Sequence, residues 1–153
     1  MRIKTVSLDL LIPIEVYIAV ESTVQRMFES FKPQSFGPIS VIEYQEREKL
    51  YLMGDGHHRA TYCYLAGLPA TIKVLETDEE VRVGFTGIFQ CYGSVDNFIS
   101  KYQTEYKERC KKCGIFSIKD LVENQARRRP DGFIAAQLRK QRNAQSRTPH
   151  PQQ

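Results

Sequence analysis

The stretch Leu50-Tyr51-Leu52-Met53-Gly54-Asp55-Gly56-His57-His58-Arg59 passes from a β-favouring apolar run, through two glycines, into a helical pattern. The helix reads as Ala60-Thr61-Tyr62-Cys63-Tyr64-Leu65-Ala66. Gly67 provides a left-handed stop for it, with Pro69 shortly beyond. Between strand and helix, Gly54 and Gly56 permit a tight turn and close approach of other groups to the backbone. Upstream, Ile39-Ser40-Val41-Ile42-Glu43-Tyr44 is a second β run, joined to Leu50–Met53 by the charged stretch Gln45–Lys49. The two read as a hairpin. Downstream, Thr71-Ile72-Lys73-Val74-Leu75 is a further strand. A hairpin, glycine turn, helix and strand in this order suit a compact α/β or α+β domain.

Toward the N-terminus, Ile3 to Leu8 alternate loosely and predict a first strand ending at Asp9. After Pro13, Val20, Val24, Met27 or Phe28, and Phe31 recur at spacings of three and four, which predicts a helix over Val16–Phe31. Lys32-Pro33 stops it, because proline lacks an amide hydrogen and restricts the residue before it. Beyond Leu75 the expectation is helical. Ser94 caps a helix that runs through Phe98, Ile99 and Tyr102 to near Gly114. Ser117 with Asp120 resembles a capping box for another helix, with aspartate in place of the usual glutamate. Arg127-Arg128-Arg129-Pro130-Asp131-Gly132 breaks that helix. Phe133–Gln145 has helix formers but few apolar anchors, and Ser146–Gln153 reads as disordered. The expected organisation is a domain over residues 2–76, a helical extension over 77–126, and a basic, partly disordered tail over 127–153.

Composition narrows the classes. With 153 residues, 41% hydrophobic and 26% charged, the chain can bury one core. Its net charge of +4 hides an asymmetry. Residues 127–153 hold seven basic side chains against Asp131 alone, a net +6, while fifteen basic and seventeen acidic residues leave residues 1–126 at −2. A nucleic-acid binder with a uniformly basic face does not look like this. No apolar run approaches the roughly 18–20 residues of a membrane span. The segment Leu8–Val20 is broken by Asp9, Pro13 and Glu15, so it does not read as a signal peptide. Cys63, Cys91, Cys110 and Cys113 show no framework spacing and are expected as reduced thiols of a cytoplasmic protein.

The chemistry concentrates in Gly54–Arg59. Free amides at a helix start point toward an anion, and Arg59 can grip phosphate with two parallel hydrogen bonds. His57 and His58 can add imidazole donors, and Asp55 can hold Mg2+ or orient a histidine. This is a phosphate-binding turn without the Lys-Ser/Thr ending of a Walker motif. A plainer alternative stays open: Asp55 ties down a common strand-to-helix turn, and the paired histidines lie on the surface.

Pro38-Ile39-Ser40-Val41, the run Leu50 to Arg59, and Leu65-Ala66-Gly67-Leu68-Pro69 together resemble the ParB/sulfiredoxin superfamily over roughly residues 2–76. The resemblance implies a small mixed α+β domain with a nucleotide at Gly54, Asp55, Gly56, His57, His58 and Arg59. Sulfiredoxins carry their reactive cysteine where this chain has His57, while Cys63 lies within the helix, so sulfinic-acid reduction is not expected. Partition proteins of the ParB type bind CTP with a Gly-Glu-Arg-Arg-x-Arg pattern. Aligned on Gly56, this chain has His57, His58, Arg59 and Thr61, and keeps one of those three arginines. The Asp-Gly-His-x-Arg form is more similar to the ADP-dependent free-serine kinases of the superfamily. In those enzymes the glutamate of a Leu-x-Pro-x-Glu segment is the general base, and Leu11-Ile12-Pro13-Ile14-Glu15 matches it. The implied catalytic residues are Glu15 and Asp55, with Asp55 also the metal ligand. The implied function is nucleotide binding with phosphoryl transfer to a small molecule or nucleotide hydrolysis (a kinase or an NTPase), and the implied cofactor is Mg2+ with ATP, ADP or CTP. Glu15 can equally be an acidic residue favourable to the first turn of a helix.

Other signals are weaker. Cys110-Lys111-Lys112-Cys113 lacks the four ligands of a structural zinc site and reads as two thiols near a helix end. Phe98, Tyr102 and Tyr106 have the spacing of a packing face. The basic residues beyond Arg127 can bind nucleic-acid phosphates or a protein partner, or stay solvated. The second functional reading is therefore a DNA-associated ParB-like regulatory module without catalysis.

Overall fold

A computed structural model describes residues 2–30, 37–44, 49–76, 82–85, 88–91 and 94–147. Five strands form one mixed sheet: β1 (Arg2–Val6), β2 (Leu11–Ile12), β3 (Ile39–Glu43), β4 (Tyr51–Met53) and β5 (Ala70–Val74). Their order is β1-β5-β3-β4-β2. β3 and β4 are the antiparallel hairpin, with Val41 opposite Met53 and Glu43 opposite Tyr51. β5 runs parallel to β3 and antiparallel to β1, while β2 runs parallel to β4.

β3 and β4 carry apolar residues on both faces because both faces are covered, with only Ser40 and Glu43 polar among them. Ile39 and Val41 of β3, with Tyr51 and Met53 of β4, join a core completed by Val24, Ile118, Leu121, Val122, Ile134 and Leu138. The alternate residues Ile42 and Leu52 join a second cluster with Ile14, Tyr44, Val95, Phe98, Tyr102 and Tyr106. Period-two alternation thus divides β3 and β4 between two helical layers. On the first face lie α1 (Glu21–Glu29), α2 (His57–Ala66), α5 (Ile118–Arg128) and α6 (Phe133–Arg147). On the second lie α3 (Val95–Lys101), a π-helical turn over Tyr102–Tyr106, and α4 (Lys107–Lys112), which together form one helical rod. Cys110 turns back from that rod to the first core. The edge strand β1 is covered less, and its Ile3 stays 59% exposed.

The α+β class holds, and several local signals work as read. Gly67 adopts φ +70° and closes α2, with the Leu68 amide on the Cys63 carbonyl at 2.9 Å. The Ser94 hydroxyl accepts from the Asn97 amide at 3.2 Å. At α5 the Asp120 amide donates to Ser117 Oγ, and Asp120 Oδ2 reaches back to the Phe116 amide at 3.0 Å. The shorter aspartate thus serves as the box's acidic partner.

Three expectations change. The first helix covers Glu21–Glu29, so Glu15 lies in irregular chain before it and not in a helical first turn. The expected helix end, from Phe31 through Pro33, falls outside the described residues. The stretch beyond Leu75 is not helical from its start: β6 (Arg82–Phe85) and β7 (Ile88–Cys91) pair as a separate antiparallel hairpin. Phe133–Gln145 has more anchorage than its composition promised. Ile134, Ala135 and Leu138 are buried, and the Phe133 ring meets Phe28 at 5.7 Å, so α6 packs into the body. Residues 148–153 lie outside the described set. Among the described residues, no helix is long and apolar enough to cross a membrane.

Candidate functional site

The turn leaving β4 is built almost entirely from its own residues. The Gly54 amide binds the Ser40 carbonyl of the neighbouring strand at 3.0 Å. Asp55 Oδ1 accepts from the Gly56 amide at 2.7 Å. Gly56 sits at φ +95°, in the left-handed region, and α2 begins at the next residue. A Cβ at Gly56 would stand 3.0 Å from Ile39 Cγ2 and 3.3 Å from Arg59 Nε, so glycine is demanded by both torsion and space. As the N-cap residue it brings no side chain to the first-turn amides, and that turn holds no acidic residue. The positive end of α2 therefore has no side-chain cap from its N-cap residue.

Arg59 spans the turn. Its guanidinium donates to the Pro38 carbonyl at 2.5 Å and pairs with Asp55 Oδ2 at 3.4 Å. It also lines a cavity of about 490 Å3 together with Pro38, Ile39, Tyr62, Cys63 and Leu68. The cavity is chiefly apolar with one guanidinium at its edge, a lining suited to the uncharged part of a small ligand.

The two histidines turn inward rather than toward solvent. Buried His57 accepts the Ile14 amide on Nε2 at 3.0 Å, and half-buried His58 accepts the Val20 amide on Nε2 at 3.3 Å. Both rings therefore fasten the chain before α1. Their Nε2 atoms are thus engaged by the chain before α1 and are not the imidazole donors that the sequence suggested. Accepting at Nε2 assigns the neutral His57 proton to Nδ1, which faces Glu15 Oε2 at 3.7 Å. Burial, helped by His58 and Arg59, pushes the His57 pKa down to about 3. At neutral pH the contact with Glu15 is thus not an ion pair.

Glu15 is the other half of the site. Its side chain is 12% exposed. Burial and the nearby Asp55 carboxylate push its pKa up to about 7, against the opposing pull of Arg109. A carboxyl group in that range exchanges a proton readily near neutrality. The structure thus brings Glu15, Asp55, His57 and Arg59 into one neighbourhood, with His58 on its flank.

Sequence reading missed the residues that hold Glu15 in place. Arg109 of α4 donates to the Ile14 carbonyl at 3.1 Å, with its guanidinium 5.1 Å from the centre of the Tyr106 ring. Cys110 directs its thiol at the Pro13 carbonyl at 3.7 Å, and burial pushes its pKa up to about 11. Asn124 of α5 donates to the Val16 carbonyl, and buried Gln125 accepts the Ile18 amide at 2.8 Å. The other end of Gln125 meets Glu21, whose second oxygen accepts the Ile134 amide at the start of α6. The one sequence signal was that Arg109 and Cys110 continue the spacing of Tyr102 and Tyr106.

Cys113 is exposed, and Cys110 and Cys113 are free thiols. Phe98, Tyr102 and Tyr106 are buried as a packing face. Among the described residues, no group of three or more His, Cys, Asp or Glu side chains could hold a metal ion. Asp55 alone remains for one, which fits Mg2+ only in its usual mode of one or two carboxylates completed by substrate phosphate and water. No family model matches the chain, and no curated protein or solved structure matches it either.

Proposed function

We propose that the protein binds a nucleotide at the Gly54–Arg59 turn and transfers a phosphoryl group to a small hydroxyl-bearing acceptor, in the manner of the kinases of the ParB/sulfiredoxin superfamily. One observation carries the reading: the carboxyl of Glu15, 12% exposed and 3.7 Å from His57 Nδ1, stands beside the uncapped start of α2, where burial pushes its pKa up to about 7. The two functions need each other, because phosphoryl transfer is mainly positioning and charge stabilisation with one proton to remove.

In this scheme the α2 amides and Arg59 hold the phosphates, and the cavity beside Arg59 has room for the nucleoside. Mg2+, held by Asp55 and the phosphates, would supply neutralising charge. Glu15 takes the acceptor's hydroxyl proton. The acceptor oxygen forms a bond to the terminal phosphorus, and the bond from that phosphorus to the nucleotide's bridging oxygen breaks. His57 stays neutral, so it places no competing positive charge beside the base.

The test is calorimetry with ATP, ADP and CTP plus magnesium, followed by product detection with hydroxyl acceptors, free serine among them. Arg59→Ala should weaken binding by about tenfold or more, the scale of a lost charge-assisted contact. Glu15→Gln should abolish turnover while leaving affinity within about twofold, as expected for a group used only in the transition state. Absence of binding to every nucleotide would end the reading.

A DNA-associated module is the second reading, favoured by the exposed Arg127, Arg129 and Lys140 around the α5–α6 connection. Truncating residues 127–153 would remove Ile134 and Leu138 from the core, so the informative variant replaces those three cations with glutamine. Loss of salt-sensitive DNA binding without unfolding supports this reading, and unchanged binding sinks it.

A further inference from the structure

Residues 13–20 form no helix or strand, yet side chains from elsewhere hold the backbone at five of the eight, Pro13, Ile14, Val16, Ile18 and Val20. The Pro13 carbonyl takes the Cys110 thiol, and the Ile14 carbonyl takes Arg109. The Ile14 amide goes to His57, the Val16 carbonyl to Asn124, the Ile18 amide to Gln125 and the Val20 amide to His58. Arg128 also stacks over the Tyr17 ring at 5.3 Å. A segment without regular structure must find such partners wherever it is buried. Four of these six backbone contacts come from beyond Val95.

We propose that Arg109 is a positioning residue for Glu15, and that the helices after Val95 are thereby part of the site. The peptide groups flanking Ile14 are gripped from two directions. His57 of α2 holds the amide and Arg109 of α4 holds the carbonyl, so the next residue, Glu15, is presented at a fixed point between the two helices. The Arg109 guanidinium is itself steadied against the buried Tyr106 ring. A planar, always-charged fork suits a carbonyl deep in a helix interface better than a mobile ammonium would. The assignment rests on the reading of Glu15 as the base.

The full-length protein without nucleotide gives a readout independent of turnover: amide hydrogen exchange across residues 14–20. If Arg109 fastens the loop through the Ile14 carbonyl, Arg109→Met should accelerate exchange there about tenfold or more, and more than across Gly54–Arg59. Exchange across residues 14–20 within about twofold of the parent's overturns the proposal. Arg109→Lys keeps a charge and a donor, so its acceleration should be smaller. Should Arg109→Met not fold, Arg109→Lys decides alone, and no acceleration in it overturns the proposal.

Where turnover is measurable, Arg109→Met should lower kcat about tenfold with the nucleotide KM within about twofold, the pattern of a misplaced group rather than lost binding. A kcat within twofold of the parent's overturns the positioning role. Glu15→Gln separates the two failures. If that variant retains turnover, the base assignment is wrong, while amide exchange in the parent and in Arg109→Met still reports whether Arg109 holds the loop.

Discussion

The Gly54–Arg59 turn and the Pro13–Val20 segment face each other across the same site, but they are ordered in different ways. The turn is specified locally: a glycine at φ +95°, a carboxylate on the next amide, and a helix that starts at once. The segment opposite has no repeating pattern of its own and borrows its partners from α2, α4 and α5. The turn keeps its shape through backbone torsion. The loop keeps its shape only while the rest of the fold surrounds it.

The largest effect should come from breaking the turn. Gly56→Ala forces a Cβ against Ile39 at a torsion that L-residues resist, and should cost about 2–4 kcal/mol in urea unfolding. A loss below about 1 kcal/mol would show that the turn is softer than its torsion implies.

The loop should yield next. Gln125→Ala leaves the Ile18 amide unpaired in the interior and should cost about 2 kcal/mol. Amide exchange should accelerate across residues 14–20 more than across Gly54–Arg59. Equal acceleration in both would mean that turn and loop open as one unit, and the contrast between them would fail.

The smallest effect is a pH dependence in which turn and loop oppose each other. Glu15 has its folded pKa raised from 4.5 to about 7, so its burial favours the protonated form. Between those values the unfolded chain binds fewer protons, and stability falls as pH rises. His57 has its folded pKa lowered from 6.5 to about 3. Between those values the unfolded chain binds more protons, and stability rises with pH. The two slopes oppose each other over roughly pH 4.5–6.5. Glu15→Gln should therefore expose the His57 slope, up to about 1.4 kcal/mol per pH unit. A profile in that variant no steeper than the parent's would contradict a buried neutral His57.

Much of the scaffold was legible because its signals are short-range. The largely apolar β3 and β4, the stop at Gly67, and the caps at Ser94 and Ser117 each depend on neighbours within a few residues. The helix expected over Val16–Phe31 shows the limit of such reasoning. Its apolar spacing is real, and Val24 and Met27 are buried as the pattern requires. Yet residues 16–20 leave the helix because side chains far along the chain offer their backbone other partners. Likewise β6 and β7 escaped notice because an isolated hairpin shows little beyond a few β-favouring residues.

By itself the sequence determined the turn, and with it the uncapped start of α2, since positive torsion at Gly56 and a helix start without a capping side chain are properties of adjacent residues. It also marked Glu15, through a resemblance. Only the tertiary structure decided what Glu15 is like: buried, beside a neutral His57, on a loop fastened by Arg109, Asn124 and Gln125. The physical reason is distance. A pKa near 7 arises from lost water and nearby charge, and the groups that remove the water lie about a hundred residues away along the chain.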